Sequence, residues 1–159
     1  QRNPQFGTRL FATEEEIAAA APHFVGMKQS ANDREFVHAV VEMLGPDFRV
    51  FMGLSEIAWD MVGQGACGLI VALANVVPGG IARLCEHAAS GNLEQAAAAG
   101  NELAALNAVA FSESNPIPVK YMAWRMGLIP NLEYRMPLSA PSQDLQHEID
   151  AALAELHLI

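Results

Sequence analysis

The chain contains two lysines, Lys28 and Lys120, so an amine side chain is scarce. Lys28 closes the stretch His23-Phe24-Val25-Gly26-Met27-Lys28, which reads as a buried strand. A lysine at the end of an apolar strand is costly to bury as a cation. Desolvation lowers the pKa of such a group and leaves a neutral amine that can attack a carbonyl carbon. The competing reading is a lysine that snorkels to a wet strand end. Lys120 falls on a helix late in the chain, where a structural ion pair is expected.

Other residue types with chemical potential lack the spacing to use it. The five histidines, His23, His38, His87, His147 and His157, show no metal-ligand pattern, so no metal is expected. Gly63-Gln64-Gly65-Ala66-Cys67-Gly68 fits a G-x-G-x-x-G pattern but precedes a strand instead of following one, which is the wrong geometry for a phosphate cradle. Glu14, Glu15 and Glu16 suit a helix N-terminus, where the dipole favours negative charge. Trp59 and Trp124 read as packing residues, and Cys67 and Cys85 as buried free thiols.

Net charge is −9 over 159 residues, which argues against nucleic acid or an anionic membrane as a partner. Hydrophobic residues make up 52% and charged residues 17%, the balance of a chain that folds. The longest apolar run, Gly68 to Val77, is too short to span a bilayer. The chain opens on Gln1 with no basic, apolar leader, so a cytoplasmic location is expected and Gln1 need not be the natural start.

The elements that must carry Lys28 alternate. Thr13 with Glu16 is a capping box for a helix through Ala21, ended by Pro22. The strand 23–28 follows. Asn32 with Glu35 caps the next helix, whose Phe36, Val37, Val40, Val41 and Leu44 share one face, and Gly45-Pro46 stops it. Phe48 to Met52 reads as a second strand, interrupted only by Arg49. Ser55 caps a helix bearing Ile57, Ala58, Met61 and Val62 on one side. Gly68 to Ala74 reads as a third strand, and Pro78 to Ala89 as a helix closed by Ser90-Gly91. Nearly continuous apolar strands alternating with helices mark a parallel sheet covered on both faces.

Beyond Gly91 the pattern has no strands. Asn92 to Phe111 is alanine-rich and helical, Pro116 to Met126 is a shorter helix stopped by Gly127, Asn131 to Gln143 is loop, and Leu145, Ile149, Ala152, Leu153 and Leu156 define a last amphipathic helix. Three parallel strands cannot close on themselves, and their open edges invite association. A closed (β/α)₈ barrel needs about 250 residues. The expected fold is therefore α/β: residues 1–91 form the second half of a (β/α)₈ barrel and residues 92–159 a C-terminal all-helical domain.

Four segments in order carry a resemblance. Val25-Gly26-Met27-Lys28-Gln29-Ser30 resembles the Schiff-base strand of the dihydrodipicolinate synthase and N-acetylneuraminate lyase family. Gly53 stands where that family has a glycine after the next strand. Gly68-Leu69-Ile70-Val71 with Ala74-Asn75-Val76 resembles its last barrel strand, and Asn115-Pro116-Ile117-Pro118-Val119-Lys120 a signature of its C-terminal helices. The resemblance covers essentially the whole chain. It implies a lyase or aldolase in which Lys28 condenses with the keto group of pyruvate or another 2-oxo acid, with Gly53 and the Ile70 backbone carbonyl beside the substrate. No cofactor is implied, and the expected assembly is a homotetramer.

The resemblance also implies parts that these residues do not contain. The family's proton-relaying tyrosine would fall immediately upstream of Gln1, and its carboxylate-binding Gly-Thr-Thr segment further upstream, so these 159 residues alone are expected to be inactive. Lysine-pathway synthases carry an arginine for the aldehyde substrate's carboxylate. The matching position here is Gln5, flanked by Arg2 and Arg9. That favours a sugar acid or other 2-oxo acid as substrate over the lysine-pathway reaction, 4-hydroxy-tetrahydrodipicolinate synthesis. A non-catalytic relative is the third reading.

Overall fold

The computed structural model describes residues 14–21, 23–31, 33–53 and 58–159. The expectations placed on Arg2, Gln5, Arg9, Thr13, Pro22, Asn32, Ser55 and Ile57 lie outside the described residues.

Helix α1 (Glu14–Ala20) leads into strand β1 (Gly26–Gln29), helix α2 (Arg34–Leu44), strand β2 (Arg49–Met52), helix α3 (Ala58–Gly63) and strand β3 (Gly68–Leu69). Local chemistry sets several boundaries. Asp33 is extended, and its carboxylate accepts from the Phe36 backbone N–H at 2.9 Å, so Asp33 caps α2, the role expected of Asn32. At the other end Gly45 takes φ 78°, a conformation glycine adopts at no steric cost, and donates to the Val41 carbonyl.

The three strands form one parallel sheet in the order β1-β2-β3. Gly26 pairs with Arg49, Lys28 with Phe51, and Phe51 with Gly68. The strand expected over residues 68–74 is shorter than its apolar run. Ile70 still donates to the Met52 carbonyl, but a 3₁₀ turn occupies Ala72–Asn75, where Ala74 donates back to Val71 and Val77 to Leu73. Val71 and Leu73 are apolar because they enter a second core, not because the strand continues. Periodicity cannot separate those cases in a short apolar run.

Helix α4 (Pro78–Ala89) spans the expected residues, with proline in its first turn. The single helix expected over 92–111 is two, α5 (Leu93–Glu102) and α6 (Ala104–Ala110), separated at Leu103. Leu103 packs against Gly80, where an added Cβ would lie 3.1 Å from the leucine methyl. Helices α7 (Ile117–Arg125) and α8 (Gln143–Glu155) complete the tail.

Two apolar clusters result. Val37, Val40, Phe48, Val50, Met52 and Met61 fill the space between the sheet and α2 and α3. A larger cluster joins Leu73, Val77 and Ile81 to Leu106, Met122, Ile149 and Leu153 of the tail. Leu69 borders both. The tail is further tied by Arg125 to Asp150 at 2.7 Å, and by Lys120, which donates to the Glu133 backbone carbonyl and lies 5.2 Å from the Tyr134 ring centre. Lys120 is thus structural, as expected, but its partners are a carbonyl and a ring instead of a carboxylate. Trp124 packs beside Tyr121 and keeps an exposed edge. Both thiols are free, but Cys67 is exposed, contrary to expectation, with its sulfur donating to the Val50 carbonyl.

Candidate active site

Side chains alternate across a strand, and paired residues of parallel neighbours share a face. The register therefore sorts the sheet into two faces. Val50 and Met52 point to α2 and α3 and are fully buried. Gly26 and Lys28 of β1, Arg49 and Phe51 of β2, and Ile70 just past β3 belong to the opposite face. There they line an open depression of about 340 Å³ together with Val25 and Met27.

Lys28 stands near the C-terminal end of β1 and is exposed. This corrects the expectation that its amine is buried: α2 and α3 cover the other face, and no described element packs over this one. The stem of Lys28 leans across the end of β2. A Cβ placed on Gly53 would lie 2.5 Å from Lys28 Cε and overlap Ser30 Oγ. Gly53 is buried and its N–H donates to the Gln29 carbonyl at 2.6 Å, so the backbone itself closes this corner. Gln29, the one buried polar residue among the described residues, turns to the helix side, and its amide oxygen accepts from the Ala31 N–H at 3.4 Å. The absence of a side chain at Gly53 thus leaves the slot through which the lysine stem passes. Ile70 is 48% exposed and borders the same depression.

The structure brings together Lys28, Gly53 and Ile70, the three residues singled out from the sequence. It adds Ser30 and Arg49. Alternation within Phe48 to Met52 could have set Arg49 and Phe51 on one face of their strand; that Lys28 shares this face, and that Ser30 stands beside Gly53, needed the pairing of β1 with β2. Among the described residues the cleft lining holds two basic side chains, Lys28 and Arg49, and no carboxyl group. Neither tyrosine borders it. Tyr121 is buried in the tail, and Tyr134 donates its hydroxyl to the Ile117 carbonyl, its phenol pushed up to about 12 chiefly by burial. An amine among apolar walls can form an imine with a small carbonyl compound, but the acid–base group for that chemistry is not among the described lining residues.

Comparison with known proteins gives this arrangement its context. The family described as the dihydrodipicolinate synthetase family matches residues 10–156. The 4-hydroxy-tetrahydrodipicolinate synthase of Psychromonas ingrahamii is 33% identical over 137 residues, covering 86% of this chain and 47% of the relative. Among solved structures, dihydrodipicolinate synthase from Aquifex aeolicus superposes with a TM-score of 0.87 at 29% identity, covering 91% of this chain and 49% of that one. The enzyme from Thermotoga maritima gives a TM-score of 0.85 at 32% identity, with 92% and 50% covered. The chain spans about half the length of the relatives it matches, and its fold is half of a (β/α)₈ barrel followed by helices. From the motif order, the parallel register and these matches together, the chain belongs to the dihydrodipicolinate synthetase family.

Proposed function

We propose that this chain carries the Schiff-base half of a 2-oxo-acid lyase, with Lys28 as the nucleophile. The observation that carries the reading is the passage of the Lys28 stem over Gly53, at the C-terminal end of the sheet. That is the end at which (β/α)₈ barrels hold their sites. The neutral amine adds to the keto carbon of pyruvate or a similar acid, and uptake of a proton with loss of water leaves a protonated imine. The imine withdraws electrons from the neighbouring carbon, which releases a proton and becomes an enamine that bonds to an aldehyde; the reverse sequence cleaves that bond. In this reading Ile70 borders the keto acid through its backbone, and the proton relay and carboxylate-binding groups come from the segment that completes the barrel.

The test is covalent trapping. The intact protein, given pyruvate and borohydride, should gain the mass of a reduced adduct on the peptide containing Lys28, and Lys28→Ala should lose that label while staying folded. Labelling at Lys120, or no labelling across a range of 2-oxo acids, sinks the proposal.

For the second substrate, Gln5 in place of an arginine favours a hydroxylated or neutral aldehyde, or a sugar acid cleaved in reverse, because glutamine lacks the charged fork that grips a carboxylate. A second reading rests on the names of relatives at 33% to 36% identity, all 4-hydroxy-tetrahydrodipicolinate synthases, and takes aspartate semialdehyde. Comparing kcat/KM for the two aldehyde classes decides between them.

A further inference from the structure

Arg49 is the charge on the inner face that the proposed chemistry leaves unused. It opens β2 and pairs in register with Gly26. A Cβ on Gly26 would overlap the Arg49 carbonyl oxygen and lie 3.0 Å from Arg49 Cβ, so the bare backbone of β1 makes room for the arginine. Its side chain lines the same depression as Lys28, and among the described residues it has no carboxylate partner.

Position separates Arg49 from the substrate end. Lys28 lies level with Phe51, two residues further along β2. At about 3.3 Å per residue, Arg49 sits about 7 Å toward the N-terminal end of the strands, away from the mouth where a keto acid reaches the lysine. Phe51 stands at the level of the lysine, beyond Arg49 on the same face. In a closed barrel that depth is filled by packed side chains. A guanidinium cannot shed its proton to escape such a site, and an unpaired buried cation is not tolerated.

We propose that the strands closing this barrel present a carboxylate to Arg49, forming an ion pair in the barrel interior beneath the Schiff-base lysine. The idea rests on the half-barrel reading, but not on Lys28 being catalytic. Charge complementarity fixes the partner's chemistry: among the described residues lining the depression with Arg49, the other titratable group is the Lys28 amine from β1, which supplies no negative charge. Asp60 of α3, behind the sheet, is already held by Arg34 and Gln64.

The sign of the pH dependence follows. A carboxylate paired with Arg49 has a folded pKa below its unfolded value near 4, so it contributes stability above that value and loses it as pH falls through the folded one. Replacing the arginine by methionine keeps the apolar stem and strands the carboxylate. In the intact protein, Arg49→Met should therefore lower the folding constant by on the order of a hundredfold at neutral pH, with the deficit closing as pH drops below about 4. Arg49→Lys should keep part of the stability. Urea midpoints from pH 3.5 to 8 read this, and borohydride trapping at Lys28 in each variant reads the catalytic proposal separately. If Arg49→Met does not fold at neutral pH but folds near pH 4, the pair is supported; if it folds at neither, the pH slope of Arg49→Lys against the parent decides. Equal midpoints at every pH, or a deficit that does not change with pH, overturn the pair. Unchanged midpoints with a raised KM would make Arg49 a substrate contact and overturn it as well.

Discussion

The helical tail and the sheet differ in what each leaves uncovered. In the tail, Leu106, Met122, Ile149 and Leu153 are fully buried among one another and against Leu73 and Val77. The sheet reaches the same completeness on its helix-facing side, where Val50 and Met52 are fully buried. On its other side Val25 is 57% exposed and Lys28 and Arg49 stand open. The tail and the helix-facing core are packed, whereas the groups with chemical potential lie on the face that no described element covers.

Three substitutions in the intact protein probe that contrast. The largest effect is expected on catalysis, from Gly53→Ala. The atoms it would strike, Lys28 Cε and Ser30 Oγ, are side-chain ends that can move aside, so the fold survives with a stability change under about 1 kcal/mol. The amine, however, is displaced. A misplacement of about 1 Å costs on the order of a hundredfold in rate, so kcat/KM and the rate of borohydride trapping should fall by about that factor. Wild-type trapping in Gly53→Ala would show that the slot does not position the lysine.

Leu106→Ala tests the other side. It opens a cavity in the tail core and should cost about 2–5 kcal/mol in a urea titration, while trapping at Lys28 under folded conditions is unchanged. A loss of trapping would couple the two regions and weaken the contrast. The smallest effect is expected from Asp33→Ala, which removes the carboxylate capping α2. That helix covers the closed face of the sheet, and the loss should be about 1 kcal/mol, read as a shift in the urea midpoint with trapping preserved.

Much of the fold was legible because local chemistry dictates it. Pro78 and Ser90-Gly91 bound α4, and Gly45 ends α2, roles these residue types allow without knowledge of neighbours. The alternation of strand and helix announced a parallel sheet. These depend on propensity, capping and period, which act over a few residues.

What only the tertiary structure decided depends on contacts between distant segments. The run from Gly68 became two strand residues and a 3₁₀ turn because Val71 and Leu73 found a core among the tail helices. The helix expected over 92–111 broke at Leu103, which packs against Gly80. Lys28 emerged exposed because burial depends on what stands opposite it, and no described element does. The slot at Gly53 and the shared face of Lys28 and Arg49 come from the register of β1 on β2. A shift of one residue in that register would turn each side chain of one strand to the opposite face, and nothing local to either strand fixes it.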